Sequence, residues 1–388
     1  MATHTLTART LLHGIGIMEY PVVTIKDGLV TRIDQDPNAL AAATDILAPA
    51  FFDIHTHGAV GHDVMSASPS EFGEMQRFLA THGVGHYLPT TVTAPVDTIL
   101  HALERLADAI ERAPEPQQAR PVGIHLEGPF LSHAKRGVHP TEFLVDPTPE
   151  LLDRFQTTAR GHIKLVTIAP ELPGALDTIA YAKTLGIRAS LGHSNAVASE
   201  ALAAIDAGAT SATHTFNAMR TLDHREAGLL GITLDDNRLF AELICDGVHV
   251  DPAIVRLWWK AKGAARGILI TDAMSAAGMP DGNYSLGGLA VTVREGCAML
   301  TEDLARGKET LAGSLLTMDR AVANFRQFTD VHTLDAARLS SANPAIMLGQ
   351  TELIRIAPGS PANLVHLDAH GNLLATYIHG KRIPASPR

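Results

Sequence analysis

Between residues 50 and 271 the chain alternates short apolar runs with helix-like stretches. Eight runs fit β-strands: 50–54, 84–89, 122–126, 163–168, 187–192, 209–213, 240–245 and 267–271. Their apolarity is continuous rather than alternating, as expected of strands buried on both faces. Helix-like segments separate them, among them Pro69 to His82, Val96 to Arg112 and Ala196 to Ala207. Eight strands with helices between them predict an α/β fold, a (β/α)₈ TIM-type barrel.

The two ends of the chain have a different pattern. Pro21-Val22-Val23-Thr24-Ile25 and Leu29-Val30-Thr31-Arg32-Ile33 flank Lys26-Asp27-Gly28. Asp-Gly between two β-rich runs is a strong hairpin signal. Near the C-terminus, Ala362 to Leu367 and Leu373 to Ile378 are strand-like, with His370-Gly371-Asn372 as the turn. Two β-rich ends around a different middle predict one small β-sandwich domain built from both termini. The expected division is 1–48 and 350–388 for its two parts and 49–349 for the catalytic barrel. No internal repeat or low-complexity tract interrupts this plan.

Composition narrows the partners. Of 388 residues, 46% are hydrophobic and 19% charged, so a large core can be buried. The formal net charge is −10 and no block of Lys and Arg makes a phosphate-backbone footprint. Nucleic acid and an anionic membrane are therefore not expected partners. A small anionic ligand is not excluded, because a few local cations outweigh a diffuse negative surface. Cys245 and Cys297 are far apart and form neither a C-x-x-C pair nor a disulfide framework. Met1 to Tyr20 lacks a basic segment followed by a continuous apolar one, and no apolar run approaches the ~18 residues of a membrane span. The expected location is cytoplasmic.

The chemistry gathers where the strands end. The first strand closes in Phe52-Asp53-Ile54-His55-Thr56-His57-Gly58. Side chains two apart on an extended segment share a face, so His55 and His57 point the same way. The third closes in His125-Leu126-Glu127-Gly128-Pro129, which puts Glu127 at the barrel mouth before a Gly-Pro breaker. The fifth, sixth and eighth end in His193, His214 and Asp272. Any one of these is ordinarily a rim residue. Five strand ends carrying them together are not, because a barrel converges its C-terminal ends on one small volume, where barrel enzymes act. Imidazole and carboxylate suit Zn²⁺ or Fe²⁺, and no cysteine is placed as a thiolate ligand. Glu127, His193 and His214 supply the three ligands of a catalytic ion. His55 and His57 would hold a second, with Glu127 bridging, so one or two ions are expected per chain. Asp272 is the expected acid/base.

These strand-end residues resemble the amidohydrolase superfamily. A closer resemblance is to its N-acetylglucosamine-6-phosphate deacetylase branch. It rests on His125-Leu126-Glu127-Gly128-Pro129-Phe130, Lys135-Arg136-Gly137-Val138-His139 and His214-Thr215-Phe216-Asn217-Ala218-Met219. Arg225-Glu226-Ala227-Gly228-Leu229, Cys245-Asp246-Gly247-Val248-His249-Val250, Thr271-Asp272-Ala273, Leu311-Ala312-Gly313-Ser314 and Asn343-Pro344-Ala345 follow in family order. The resemblance covers nearly the whole chain. It implies hydrolysis of the acetamide of a phosphorylated amino sugar, with Glu127, His193 and His214 on the main metal and Asp272 as acid/base. It further implies that Asn217, Ala218, Arg225 and His249 handle the sugar phosphate. Val138 and His139 lie near the sugar, His139 also assisting catalysis, and Leu311, Ala312 and Gly313 close the far side. Glu127 stands where many relatives carry a modified lysine.

Three features depart from the family or extend it. Some members lack His-x-His and use one metal, whereas this chain keeps both histidines. Ala50 replaces a frequent glycine. An insertion begins at Pro280-Asp281-Gly282-Asn283-Tyr284. A homodimer or homotetramer is expected, and the loop of Arg225 can reach a neighbouring subunit. The rival readings are an amidohydrolase for N-acetylgalactosamine 6-phosphate, a cyclic amide or a nucleobase, and a non-catalytic barrel scaffold.

Overall fold

The structure, a computed structural model, describes residues 3–14, 16–39, 44–113 and 115–386. Its centre is a barrel of eight parallel strands: β1 (Phe51–Thr56), β2 (Val84–Thr91), β3 (Ile124–Glu127), β4 (Ile163–Ile168), β5 (Arg188–Leu191), β6 (Ala209–Ala212), β7 (Phe240–Ile244) and β8 (Gly267–Ile270). Neighbours in sequence are neighbours in the sheet. The ring closes between β8 and β1, where the Asp272 N–H donates to His55 O at 2.9 Å and the His57 N–H to Ala273 O at 2.7 Å. The α/β barrel expected from the apolar runs is the observed fold, and the strand bounds agree to within about two residues.

Helices α1 (Pro69–Thr81), α2 (Val96–Glu111), α3 (Pro149–Thr158), α4 (Ala175–Thr184), α5 (Ala198–Ala207), α6 (Gly228–Asp235), α7 (Pro252–Arg266) and α8 (Met318–Thr329) follow the strands. Helix α2 explains itself from sequence: Ile99, Ala102, Leu103, Leu106, Ala107 and Ile110 recur every three or four residues and are all buried against the barrel. Helix α1 begins at a capping box. The Ser68 hydroxyl accepts from the Glu71 N–H, and the Glu71 carboxylate accepts from the Ser68 N–H at 2.6 Å. Such a cap contributes about 1 kcal/mol.

Both termini build the small domain. A six-stranded sheet runs in the order Lys381–Pro384, Leu373–Ile378, Leu364–Leu367, Ile46–Pro49, Thr10–His13, Gly16–Glu19. Ile46–Pro49 joins the two ends, pairing parallel to Thr10–Leu11 and antiparallel to Leu364–Leu367. A three-stranded sheet, Thr3–Thr7, Pro21–Lys26 and Leu29–Gln35, packs against it. Between them lies an apolar core of Leu11, Val23, Ile25, Val30, Leu47, Leu364 and Tyr377. The Asp27-Gly28 hairpin forms as the sequence predicts. Both residues take positive φ, 56° and 83°, which a two-residue turn of this hand requires.

The insertion after β8 is a three-stranded antiparallel sheet, Gly282–Leu286, Leu289–Arg294 and Cys297–Leu300. Buried Asp63, in the loop after β1, accepts from the Gly287 N–H at 2.6 Å and pins this sheet beside the barrel mouth.

Candidate active site

Three residues proposed from sequence sit just past their strands with left-handed backbone: His193 at φ 48°, His214 at φ 28° and Asp272 at φ 50°. Such φ values are costly for residues with a Cβ and persist where the surroundings over-determine them, a pattern that concentrates at functional sites. Each follows a strand buried on both faces, so the turn aims its side chain over the barrel axis. Glu127 reaches the same point from the last residue of β3. Gly128 behind it has φ 78°, and a Cβ there would collide with Thr93 Oγ1.

Glu127 is buried and its two oxygens face opposite ways. Oε1 lies 3.1 Å from His214 Nε2 and 3.3 Å from His193 Nε2, and those nitrogens are 3.1 Å apart. Oε2 lies 3.3 Å from His57 Nε2 and 3.4 Å from His55 Nε2, again with the nitrogens 3.3 Å apart. Asp272 Oδ1 completes the second set, 3.0 Å from His57 and 3.4 Å from His55. His139 approaches Glu127 Oε2 at 3.8 Å. The possible ligand atoms of His55, His57 and Asp272 lie within 4.8 Å of one another, as do, separately, those of Glu127, His139 and His193. His214 is the better third member of the second group, because its Nε2 is 3.1 Å from both Glu127 and His193.

The donor set fits a metal. Donor atoms bonded tetrahedrally to an ion at 2.0–2.1 Å lie about 3.3 Å apart, the spacing found here. The electrostatics agree. Burial opposes a charged His57, yet Asp272 and Glu127 more than offset it and hold the imidazole up to about 9. His55 is likewise raised, against its burial, by Glu127 and Asp272. Burial pushes Glu127 and Asp272 up, but the surrounding imidazoles hold both well below the usual carboxylate range. Two buried carboxylates that draw charge onto imidazoles form a site that prefers cations.

The far ring nitrogens are held too. His57 Nδ1 faces Thr90 O at 3.0 Å and His193 Nδ1 faces Lys135 O at 3.0 Å. These acceptors leave Nε2 free to bind an ion. His139 has the opposite arrangement. Its Nδ1 accepts from the Thr93 N–H at 3.3 Å and lies 2.8 Å from Thr93 Oγ1. The network therefore assigns the proton to Nε2. Burial, with the neighbouring His193 charge, keeps this imidazole well below its ordinary value, hence neutral. A neutral Nε2–H is a donor aimed at the Glu127 side of the site.

These side chains open on a cavity of about 520 Å³. His57, Glu127, Val138, His139, His193, His214, Asn217, Ala218, His249, Asp272, Leu311 and Gly313 all line it. His55 lies fully buried behind them and Ala312 is buried behind the wall. Arg225 is exposed and lies outside the lining, its N–H held by Asp223 Oδ1 at 2.8 Å. His249 is fixed by Asp246, with Nδ1 to Oδ2 at 2.6 Å. Sequence reasoning missed the cations on the wall, Lys135, Arg136 and Lys308. The first two lie in Lys135-Arg136-Gly137-Val138-His139, one of the motifs that carry the family resemblance, and Arg136 donates to His139 O at 2.9 Å. It also missed Glu242, a carboxylate inside the apolar run Phe240–Ile244. A charge in the middle of a buried strand was the available signal.

A barrel with this donor set at its C-terminal mouth is a metal-dependent hydrolase of the amidohydrolase kind. The chain belongs to the amidohydrolase family, whose profile matches residues 46–383. It is 38% identical to an N-acetylgalactosamine-6-phosphate deacetylase of Escherichia coli, covering 98% of this chain and 99% of that one. It is 35% identical to an N-acetylglucosamine-6-phosphate deacetylase of Vibrio furnissii, covering 99% and 97%. The N-acetyl-D-glucosamine-6-phosphate deacetylase of Mycobacterium smegmatis, solved as a mutant in complex with N-acetyl-D-glucosamine-6-phosphate, superposes with a TM-score of 0.88 at 34% identity. That match covers 98% of this chain and 99% of the other.

Proposed function

We propose that this protein removes the acetyl group from N-acetyl-D-glucosamine 6-phosphate, giving D-glucosamine 6-phosphate and acetate, in amino-sugar catabolism or cell-wall sugar recycling. The observation that carries the reading is Glu127 divided between two imidazole pairs, with Asp272 3.0 Å from His57, at the floor of a cavity sized for a hexosamine phosphate. Relatives that act on phosphorylated N-acetyl hexosamines support it.

Glu127, His193 and His214 would hold one divalent transition ion, Zn²⁺ or Fe²⁺, and His55 and His57 a second. Bound there, such an ion supplies Lewis acidity to the amide carbonyl and to the attacking water. Asp272, ionised at rest, takes the proton of that water and later delivers it to the departing amine. The His139 Nε2–H donates to the carbonyl oxygen as negative charge develops on it. Asn217, Ala218 and His249 orient the sugar phosphate, Val138 and Leu311–Gly313 enclose the ring, and Arg225 reaches the site of a neighbouring subunit in a homodimer or homotetramer. Residues 1–48 and 350–388 serve as one small domain beside the catalytic barrel of 49–349, and the enzyme works in the cytoplasm.

The test is an acetate-release assay over phosphorylated and free N-acetyl hexosamines, with metal content measured on the same sample. Turnover should require a stoichiometric transition metal and should be far weaker on the free sugar than on the 6-phosphate. The relative at 38% identity makes N-acetylgalactosamine 6-phosphate the competing substrate. A higher kcat/KM for that epimer would reassign the sugar and keep the chemistry.

A further inference from the structure

Glu242 lies in the middle of β7 with no solvent exposure. A buried carboxylate is costly to desolvate unless it is paired and hydrogen-bonded. Its Oε2 lies 3.3 Å from His55 Nδ1 and accepts the His214 main-chain N–H at 3.3 Å. Its Oε1 has no partner. Among the described residues no Lys or Arg forms an ion pair with it; its one ionic neighbour is His55.

The four imidazoles around Glu127 differ in what holds their second nitrogen. His57 and His193 use neutral main-chain carbonyls, and His214 Nδ1 has no partner. His55 alone meets a carboxylate. A carboxylate behind a ligating imidazole fixes its tautomer, orients its ring and raises its basicity. It also leaves a negative charge in the barrel that a second cation, placed on the far side of the same ring, would balance.

We infer that Glu242 is the positioning residue of a second metal site, and that it makes occupancy of the His55–His57 position selectively dependent on β7. This rests on the metal-hydrolase reading above but is separable from it. Glu242 holds the His55 Nδ1–H so that Nε2 is presented, beside His57 Nε2, to an ion shared with Glu127 Oε2. The His193–His214 position receives from Glu242 only a bond to the His214 backbone. Loss of the carboxylate therefore weakens one position much more than the other.

The experiment compares the intact protein with Glu242→Gln and Glu242→Leu, each loaded with Zn²⁺ and dialysed against a graded chelator. Ions per chain are counted by mass spectrometry and located by anomalous diffraction at the zinc edge. The intact chain should hold two ions. Glu242→Leu should keep the His193–His214 ion and lose the His55–His57 ion, and that retained ion shows that the barrel is folded. Glu242→Gln keeps an oxygen acceptor and should hold the second ion about 10–100-fold more weakly than the intact chain, the usual cost of altering an outer partner of a ligand. Two ions of unchanged affinity in Glu242→Leu would overturn the inference, as would a single ion in the intact protein. Either result leaves the deacetylase reading standing if acetate is still released. A chain with no ion and no acetate release would sink both.

Discussion

The two mouths of the barrel both bury histidine, and they treat it in opposite ways. At the C-terminal mouth, His55, His57, His193 and His214 surround two carboxylates, and the carboxylates draw positive charge onto His55, His57 and His214. At the other mouth, His86 on β2 stacks edge-on against Phe52 and has no partner for Nδ1. Burial, with the charges of Arg120 and His379, pushes it down to about 4. The same side chain is thus held ready for a cation at one end and held neutral at the other. Exposure does not separate the cases, since His57 is 3% exposed and His86 is 5%. The difference is the sign of the neighbouring charge.

The sharpest break of this comparison is Asp272→Asn. The amide keeps the shape of the side chain but cannot take a proton. We expect kcat to fall by at least about 10²–10⁴-fold, the usual range for loss of a general base, with the Glu127–His193–His214 ion and substrate binding retained. Steady-state kinetics with metal analysis checks this. Near-normal kcat would remove Asp272 from the acid/base role.

Glu127→Gln tests the other half. Both oxygens serve cation sites, so a neutral amide should lower the content of both ions together, and activity with them. The thermal midpoint should fall by the free energy that metal binding had contributed. Retention of both ions in this variant would show that the imidazoles suffice and that the bridging carboxylate is dispensable.

A smaller effect is expected from Arg225→Ala. The residue is exposed and off the cavity wall of its own chain, so folding and metal content should not change. Loss of one charge-assisted contact costs about 1.5–3 kcal/mol, so kcat/KM for the phosphorylated sugar should fall about 10–100-fold. Turnover of the free sugar should not move. Mixed oligomers of Arg225→Ala and Asp272→Asn chains should recover activity if the arginine serves the neighbouring site. An equal loss on both substrates would argue against a phosphate contact.

The barrel was legible because eight apolar runs, each buried on both faces, leave little choice of sheet. The candidate ligands stood out because each ends such a run. Glu242 escaped for the converse reason: it sits inside a run, where an isolated charge resembles an interruption, and only the folded barrel brings it to His55. His139, Asn217 and His249 carry no local pattern at all, because loops place them. Only the resemblance pointed to them before the cavity did. The insertion's three-stranded sheet takes its register from two local turns, Gly287-Gly288 and Glu295-Gly296, all four residues at positive φ; only its seat beside the barrel mouth, held by Asp63 more than two hundred residues earlier, is invisible in the local sequence.

The smallest effect at neutral pH should come from His86→Phe, and it inverts the pattern of Asp272→Asn. The ring volume and the contact with Phe52 are nearly kept, so stability at pH 7.5, activity and metal content should change little. The difference appears in acid. His86 sits at about 4 in the fold against 6.5 when free, so between those values the unfolded chain binds the extra proton. Stability from this group is therefore present above pH 6.5 and lost as pH falls toward 4. By pH 5 the loss is about 2 kcal/mol, and the phenylalanine variant, having no proton to take up, should be the more stable protein by that amount. Urea midpoints of both proteins from pH 7.5 to 5 give the difference directly. Acid effects on the distant imidazole–carboxylate cluster are common to both and cancel. Parallel pH profiles would mean that His86 finds an acceptor in solution, and the contrast between the two mouths would then narrow to the carboxylates alone.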